Sequence, residues 1–194
     1  TAAMAAVIGA VKREIARPFG VNLVWDPIAS LAVARATGAS FVREVFTGVY
    51  ESDLGVMRPD FGAIGDYQAA IGAEAVALLA NITPEFASSV GRRTIAQRAR
   101  SAVYLGVDAL LISGAITGEP TDLAGLREAK AAAGGTPVLA NTGVTADSLP
   151  AVLAAADGAI VGTALKAGGV TWNPVDPART ATFMTAARRA REAR

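Results

Sequence analysis

The chain has 194 residues, 52% of them hydrophobic, which is enough to bury a sizeable core in one domain. Eighteen basic residues stand against 17 acidic ones, only 6% of residues are aromatic, and nucleic-acid binding therefore has little support. With no cysteine and no histidine, disulfides, thiolate nucleophiles and zinc ribbons are excluded, and any proton transfer falls to carboxylates, lysine or tyrosine.

Taken in order, Ala2–Ile15 reads as a helix with Met4, Val7, Ile8, Val11 and Ile15 on one face. It starts in the middle of a unit and on Thr1 rather than Met, so the expectation is a piece of a longer chain. A strand Phe19–Val24 follows, and Asp26-Pro27 then starts a helix, with Asp as the cap and Pro at the first helical position. Gly38 stops that helix, and Ser40–Phe46 is the next strand, apolar except for Arg43 and Glu44. Thr47–Asp60 reads as one long loop, a length that is commonly functional. Helix Ile64–Ile71 precedes strand Ala75–Ala80, which delivers Asn81; helix Thr94–Leu105 precedes strand Val107–Ile112, which ends in Ser113-Gly114. Helix Asp122–Ala133 leads to a strand through Val138–Ala140, a short helix, and a last strand at Ala159–Val161. Asp176-Pro177 opens the final helix, to about Ala190, and the basic end RRAREAR reads as solvated.

Six strands alternate with helices at a spacing of about 25–35 residues, a pattern that makes a parallel sheet. A closed (β/α)8 barrel needs eight strands, so the expected fold is a TIM barrel lacking its first strand, first helix and second strand, in a single domain over 1–194. Open strand edges on such a barrel predict a homo-oligomer. The chain contains no apolar run of the roughly 18 residues that spans a bilayer and no signal-type opening, so a cytoplasmic location is expected by default.

The chemistry is expected at the carboxyl ends of the strands. Two turns there carry glycine, Asn141-Thr142-Gly143 and Gly162-Thr163, and consecutive turns of this kind can point backbone N–H groups at a phosphate. Lys166 lies just beyond, placed to neutralise a phosphate or, as a weaker reading, to form a Schiff base. Arg43 and Glu44 must find partners if buried, and since adjacent strand residues point to opposite faces, at most one faces the barrel axis. Glu44 is the first choice of general base, with a structural ion pair as the competing role. Asn22, Asp26, Asn81, Ser113 and Gly114 lie at strand ends, where they can orient substrate, though Asp26 also reads simply as a helix cap. Asp53, in the long loop, is a lid element or a turn. Glu44, Asp53, Glu85 and Asp26 could supply oxygen ligands to Mg2+, but no tight acidic motif is present, and neither is a GxxxxGK(S/T) phosphate loop.

FVREVFTGVYESDLG (Phe41–Gly55), ANITPE (Ala80–Glu85), SGAITGEPTDL (Ser113–Leu123), VLANTGV (Val138–Val144), ADGAIVGTALKAGG (Ala156–Gly169) and NPVDPAR (Asn173–Arg179), in this order and spacing, resemble the BtpA/SgcQ family over essentially the whole chain. GVNLVWDP, FVREVFTGVY and ANTGV fit its SgcQ-like branch better. The resemblance implies a TIM barrel of the ribulose-phosphate-binding type, whose members begin with a strand and a His-containing, proline-rich loop before the point where this sequence starts. It implies no settled reaction. One name comes from photosystem I accumulation and the other from a carbohydrate gene cluster, and the basic residues or histidine that many BtpA members carry after the third strand are absent at Asn81–Glu85. The leading expectation is an enzyme for a small phosphorylated metabolite, an isomerase, epimerase or aldolase by class. The alternatives are a non-catalytic assembly or regulatory factor and a metal-dependent phosphohydrolase.

Overall fold

The helices begin where a short polar side chain can answer the first free N–H groups. In the computed structural model, which describes residues 1–192, α1 spans Ala2–Val11 and passes into a 3-10 turn at Lys12–Glu14, ending the expected helix four residues early. Asp26 accepts from Ala29 N at 2.8 Å to cap α2 (Pro27–Thr37), as its Asp-Pro sequence predicts. Asp60 caps α3 (Phe61–Ala70) in the same way, so that helix starts three residues before the expected Ile64. Thr94 and Gln97 close a reciprocal capping box on α4 (Ile95–Tyr104), and Asp122 takes two N–H groups of α5 (Leu123–Ala132). Helices α6 (Leu149–Ala155) and α7 (Pro177–Glu192) complete the set. Arg188, Arg189 and Arg191 on α7 are exposed, as expected for the basic end, and residues 193–194 of that stretch lie outside the described residues.

The strands are β1 (Gly20–Val21), β2 (Phe41–Glu44), β3 (Tyr50–Ser52), β4 (Gly55–Met57) and β5 (Ala77–Thr83). Beyond them come β6 (Ala87–Ser89), β7 (Ala109–Ile112), β8 (Val138–Ala140) and β9 (Gly158–Ala159). Six of them form one parallel sheet in the order β1-β2-β5-β7-β8-β9, the six expected, in sequence order. The ends differ. The first strand stops at Val21 because Asn22 turns its amide onto Arg43 O and Leu23 N donates to Ser30 Oγ, and β5 runs on to Thr83 through a bulge after Asn81. The expected loop Thr47–Asp60 is not a loop. It contains β3 and β4, and β3 pairs with β4 on one side and β6 on the other as a small antiparallel sheet. Three-residue strands with exposed side chains have no alternation long enough to read.

The convex face of the large sheet is the core. Val42, Leu78, Ala80, Leu110, Ile112, Val138 and Ala140 pack there against Leu31, Ala99, Leu126, Val152 and Phe183 from the helices. Each large side chain buried this way contributes about 1.5–3 kcal/mol relative to exposure. The concave side is polar toward the strands' carboxyl ends. Arg43 on β2 donates through Nε to Asn141 Oδ1, directly after β8, at 2.8 Å. Three strand spacings on a flat sheet would separate those positions by about 14 Å, so the bond reports a strongly curled sheet. Six parallel strands, curled and covered by helices, form most of a (β/α)8 TIM barrel, as the alternation predicts. Among the described residues no helix is long and apolar enough to cross a membrane.

Candidate functional site

With Val42 buried in the convex core, its neighbour Arg43 faces the axis, and there it meets the residues that end the next strands. Its Nη2 pairs with Glu85 at 3.2 Å. Glu85 Oε2 accepts from Asn81 Nδ2 and from Ser113 Oγ, each at 3.1 Å, and Asn141 Nδ2 donates to Ser113 Oγ at 2.8 Å. Five side chains from β2, β5 and the ends of β5, β7 and β8 thus form one closed network, in which each polar group fixes its neighbours. The sequence points to Arg43, Asn81, Ser113 and Asn141; Glu85, the acid that joins them, is legible there only as a possible metal ligand. Arg43, Asn81 and Glu85 of the network line a cavity of about 290 Å³, with Asn22, Trp25 and Glu44 on its wall and Leu54, Phe86 and Thr117 around it.

Glu44 takes the opposite side of β2 and is 3% exposed. Its Oε1 accepts from Asn22 Nδ2 at 3.0 Å and from Trp25 N, and its Oε2 from Val45 N at 2.6 Å. Burial raises its pKa above the ordinary 4.5, outweighing those three donors and the nearby Arg43 charge, which lower it. A carboxylate offers about four acceptor positions, of which these donors use three, and Glu44 lines the cavity. Among the described residues two non-glycine residues have a left-handed backbone, Trp25 at φ 65° and Phe86 at φ 57°, and both line this cavity. Bulky side chains avoid that conformation, at a cost of about 1–3 kcal/mol each, and strain of this kind gathers where a site is held in shape.

The two glycine turns meet at a second cavity, of about 590 Å³, lined by Gly143, Thr145, Gly162, Thr163 and Arg179, with one carboxylate, Asp147, also on its wall. The two glycines serve different ends. At Gly143, φ 61°, a Cβ would sit 2.1 Å from Glu119 O, so a side chain is sterically impossible. At Gly162, φ −128°, a Cβ meets nothing within 4 Å, and the turn faces open space ahead of a 3-10 turn at Thr163–Leu165. Arg179, in the first turn of α7, donates through Nε to Ala164 O at 3.0 Å and has no carboxylate within salt-bridge distance among the described residues. Sequence reasoning missed it, although the signal exists: a cation opposes the helix macrodipole in a first turn, so Arg at that place needs another reason. The loop after β7 separates the two cavities, with Thr117 lining one and Gly118 the other.

The remaining candidates go elsewhere. Thr142 accepts from Gly114 N and bonds to Thr121, stapling the loop after β7, and neither Thr142 nor Gly114 lines either cavity. Lys166 lies in the strand-like bridge to Val175, outside the lining of the turn cavity. Asp26 is exposed and caps α2; Asp53 sits at the tip of the β3–β4 hairpin, where Leu54, not Asp53, reaches the axial cavity. The four carboxylates suggested for Mg2+ do not assemble: among the described residues no three acidic side chains form a metal-binding group.

The sgc region protein SgcQ of Escherichia coli K12 is 46% identical to this chain over 185 residues, covering 95% of the chain and 69% of SgcQ. The photosystem I biogenesis protein BtpA of Synechocystis is 30% identical over 187 residues, 95% of the chain and 65% of that protein. The chain thus spans about two thirds of the length of both relatives. Among solved structures, native KDPGal superposes with a TM-score of 0.58 at 17% identity, over 97% of this chain and 76% of that one. Phosphoribosyl anthranilate isomerase of Thermus thermophilus gives 0.55 at 14% identity, over 90% and 69%. These two likenesses carry the barrel fold and nothing further. With residues 1–189 matching its profile, the chain belongs to the BtpA family.

Proposed function

We propose that this protein is an enzyme acting on a small phosphorylated metabolite, a sugar phosphate by class, with the phosphate in the turn cavity and the reacting carbons in the axial cavity. The supporting observation is the convergence of the Gly143 and Gly162 turns and the acid-free guanidinium of Arg179 on one cavity at the carboxyl end of the sheet. The first N–H groups of the turn after Gly162 have no partner within it, and together with Arg179 they would give a dianion charge-assisted hydrogen bonds. In the axial cavity Glu44, its proton affinity raised by burial, would take a proton from carbon next to a carbonyl, while Arg43 and Asn81 on the same wall polarise the oxygen that gains charge. Isomerisation, epimerisation and aldol cleavage all use that step.

A second reading, a non-catalytic factor that docks a partner, has its own support. Val24, Leu54, Val56 and Phe86 are 65%, 66%, 71% and 43% exposed on or beside the axial cavity and the hairpin. Exposed apolar side chains gathered at one place mark interaction surfaces. Thermal unfolding against sugar phosphates, each beside its unphosphorylated partner, separates the two. Stabilisation by the phosphorylated members alone, lost in Gly162→Asp, supports the enzyme reading, because a ligand specific to the folded state raises the midpoint by mass action. No shift from any phosphate at millimolar concentration overturns it in favour of the docking factor.

A further inference from the structure

The β3–β4–β6 sheet and α4 enclose a third cavity, of about 530 Å³, that shares no lining residue with the other two. Its volume suits a small metabolite. The wall is mostly apolar, with Val49, Tyr50, Pro59 and Val90, yet Arg93 and Arg98 both line it and no carboxylate does.

Two guanidinium groups stand beside this apolar surface, Arg98 half-buried and Arg93 exposed. No Asp or Glu comes within salt-bridge distance of Arg93 or Arg98 among the described residues. Arg98 Nη1 donates to Ile82 O at 2.8 Å, the carbonyl that Tyr50 Oη also uses at 3.1 Å, so the head of Arg98 is pinned beside the tyrosine. Its Nε is buried without an acceptor among the described residues, an arrangement rare in folded proteins, and its other contact is with the neutral Tyr50 hydroxyl, so no anion balances its charge. Arg93 makes only a long contact of 3.4 Å to Ser101 Oγ. The acid closest in role, Glu128, accepts from Ala96 N at the start of α4 and is absent from the cavity wall. The sequence has the same imbalance: four arginines and no acidic residue fall between Gly91 and Tyr104, a local excess hidden by an overall formal charge of +1.

We infer that this cavity is a second ligand site, for an organic anion whose phosphate or carboxylate head lies between Arg93 and Arg98 and whose apolar body rests on Val49, Pro59 and Val90. It is separate from the reaction proposed above and does not depend on it. Arginine is suited to the role, since its planar fork grips either head group with paired hydrogen bonds.

Titration calorimetry of the whole chain with phenyl phosphate, benzoate and neutral benzyl alcohol tests this. Both anions, or one of them, bind, benzyl alcohol binds about tenfold more weakly or not at all, and Arg93→Gln weakens the anion by about tenfold. The stronger of phenyl phosphate and benzoate identifies the head group. Arg93 is exposed, so its loss leaves the fold intact; Val90→Asp, also at an exposed position, places a tethered carboxylate in the cavity and abolishes the same binding. Gly162→Asp leaves this binding unchanged. Failure of the wild-type chain to bind either anion overturns the inference. So does binding that survives Arg93→Gln and Val90→Asp, or binding lost in Gly162→Asp alone, which assigns the anion to the turn cavity instead.

Discussion

The axial network and the turn cavity lie side by side at the same end of the sheet, and they are built on opposite principles. In the network every charge already has its partner: Arg43 holds Glu85 and Asn141, and Asn81 and Ser113 hold Glu85 from the other side. In the turn cavity the one cation, Arg179, meets only a backbone carbonyl, and Gly162 faces empty space. Groups that must act in a fixed geometry are better preorganised, since orientation is then settled before the substrate arrives. Groups that must bind an anion are better left without a carboxylate paired to them, and among the described residues no salt bridge joins Arg179 to Asp147, the acid on the same cavity wall. The same contrast separates the two residue sets by what their loss should do: the network should cost stability, and the turn cavity should cost ligand.

The contrast is sharpest between two glycines of that cavity. Gly143→Ala puts a methyl group into backbone of the neighbouring loop, at 2.1 Å from Glu119 O and at φ 61°, and should destabilise by roughly 3 kcal/mol or more, or prevent folding. Gly162→Ala, with free space and an ordinary φ, should stay within about 0.5 kcal/mol of wild type. Urea unfolding of the two variants decides it, and equal losses would break the distinction between a glycine required by packing and one that leaves room for a ligand.

Next in size is the network. Arg43→Met strands Glu85, whose side chain is 14% exposed, and removes the donor to Asn141. Breaking one side of a buried pair costs about 3–5 kcal/mol, and since Arg43 is itself 28% exposed the expectation falls below that range, at about 2–3 kcal/mol. Arg43→Met together with Glu85→Gln should recover part of that loss, because the uncompensated charge goes with its partner. A double variant as unstable as the sum of the two single ones would show that the pair does not act as a unit.

How far this was legible depends on the range over which each feature is encoded. Asp26 before Pro27 fixes a helix start within two residues, and the capping bond is there. The six parallel strands follow from apolar segments alternating with helices, and all six are present in order. The β3–β4–β6 sheet was hidden because its pairing joins Tyr50–Met57 to Ala87–Ser89 across the whole of α3 and β5, with no local pattern in either piece. Site membership was legible where a polar residue interrupts or ends a strand, as for Arg43, Asn81 and Asn141. It was incomplete for Glu85, which the sequence offers only as a possible metal ligand, and it failed for Arg179, one more cation on a helix. Both are placed by the curl of the six-stranded sheet, which no short stretch encodes.

Glu44 carries the expected pH dependence. Burial raises its folded pKa above 4.5, the value it regains on unfolding, so the folded state binds more protons than the unfolded one between those two values. The stability this contributes is fully present below 4.5 and is lost as pH rises through the higher folded value. Glu44→Gln, which cannot titrate, should lower stability at acid pH, where a protonated Glu44 still accepts from Trp25 and Asn22 and an amide group is set against Val45 N. Its deficit relative to wild type should then shrink as pH rises from 4.5 and stop changing above the folded value. Urea midpoints of both proteins from pH 4 to 8 give the comparison; a deficit that grows with pH would mean that the three N–H donors, rather than burial, govern this carboxyl.

A small change in stability is expected where a large change in ligand response is predicted. Arg179→Gln gives up a guanidinium that no carboxylate holds and a single bond to Ala164 O, so the unfolding midpoint without ligand should move by no more than the worth of one exposed hydrogen bond, about 0.5–1 kcal/mol. The variant also removes a cation from the first turn of α7, which the helix macrodipole favours removing, and that offsets part of the loss. If the turn cavity holds a phosphate, the same variant should weaken binding of the phosphorylated metabolite by about tenfold, because a charge-assisted pair is worth roughly 1.5–3 kcal/mol. Thermal shifts measured at several ligand concentrations separate the two quantities, since the midpoint without ligand reads the fold and its rise with ligand reads the site. An Arg179→Gln protein with its fold intact and its phosphate response unchanged would show that the guanidinium serves α7 and Ala164 alone, and the contrast between a partnered network and an open anion cavity would then fail at its second term.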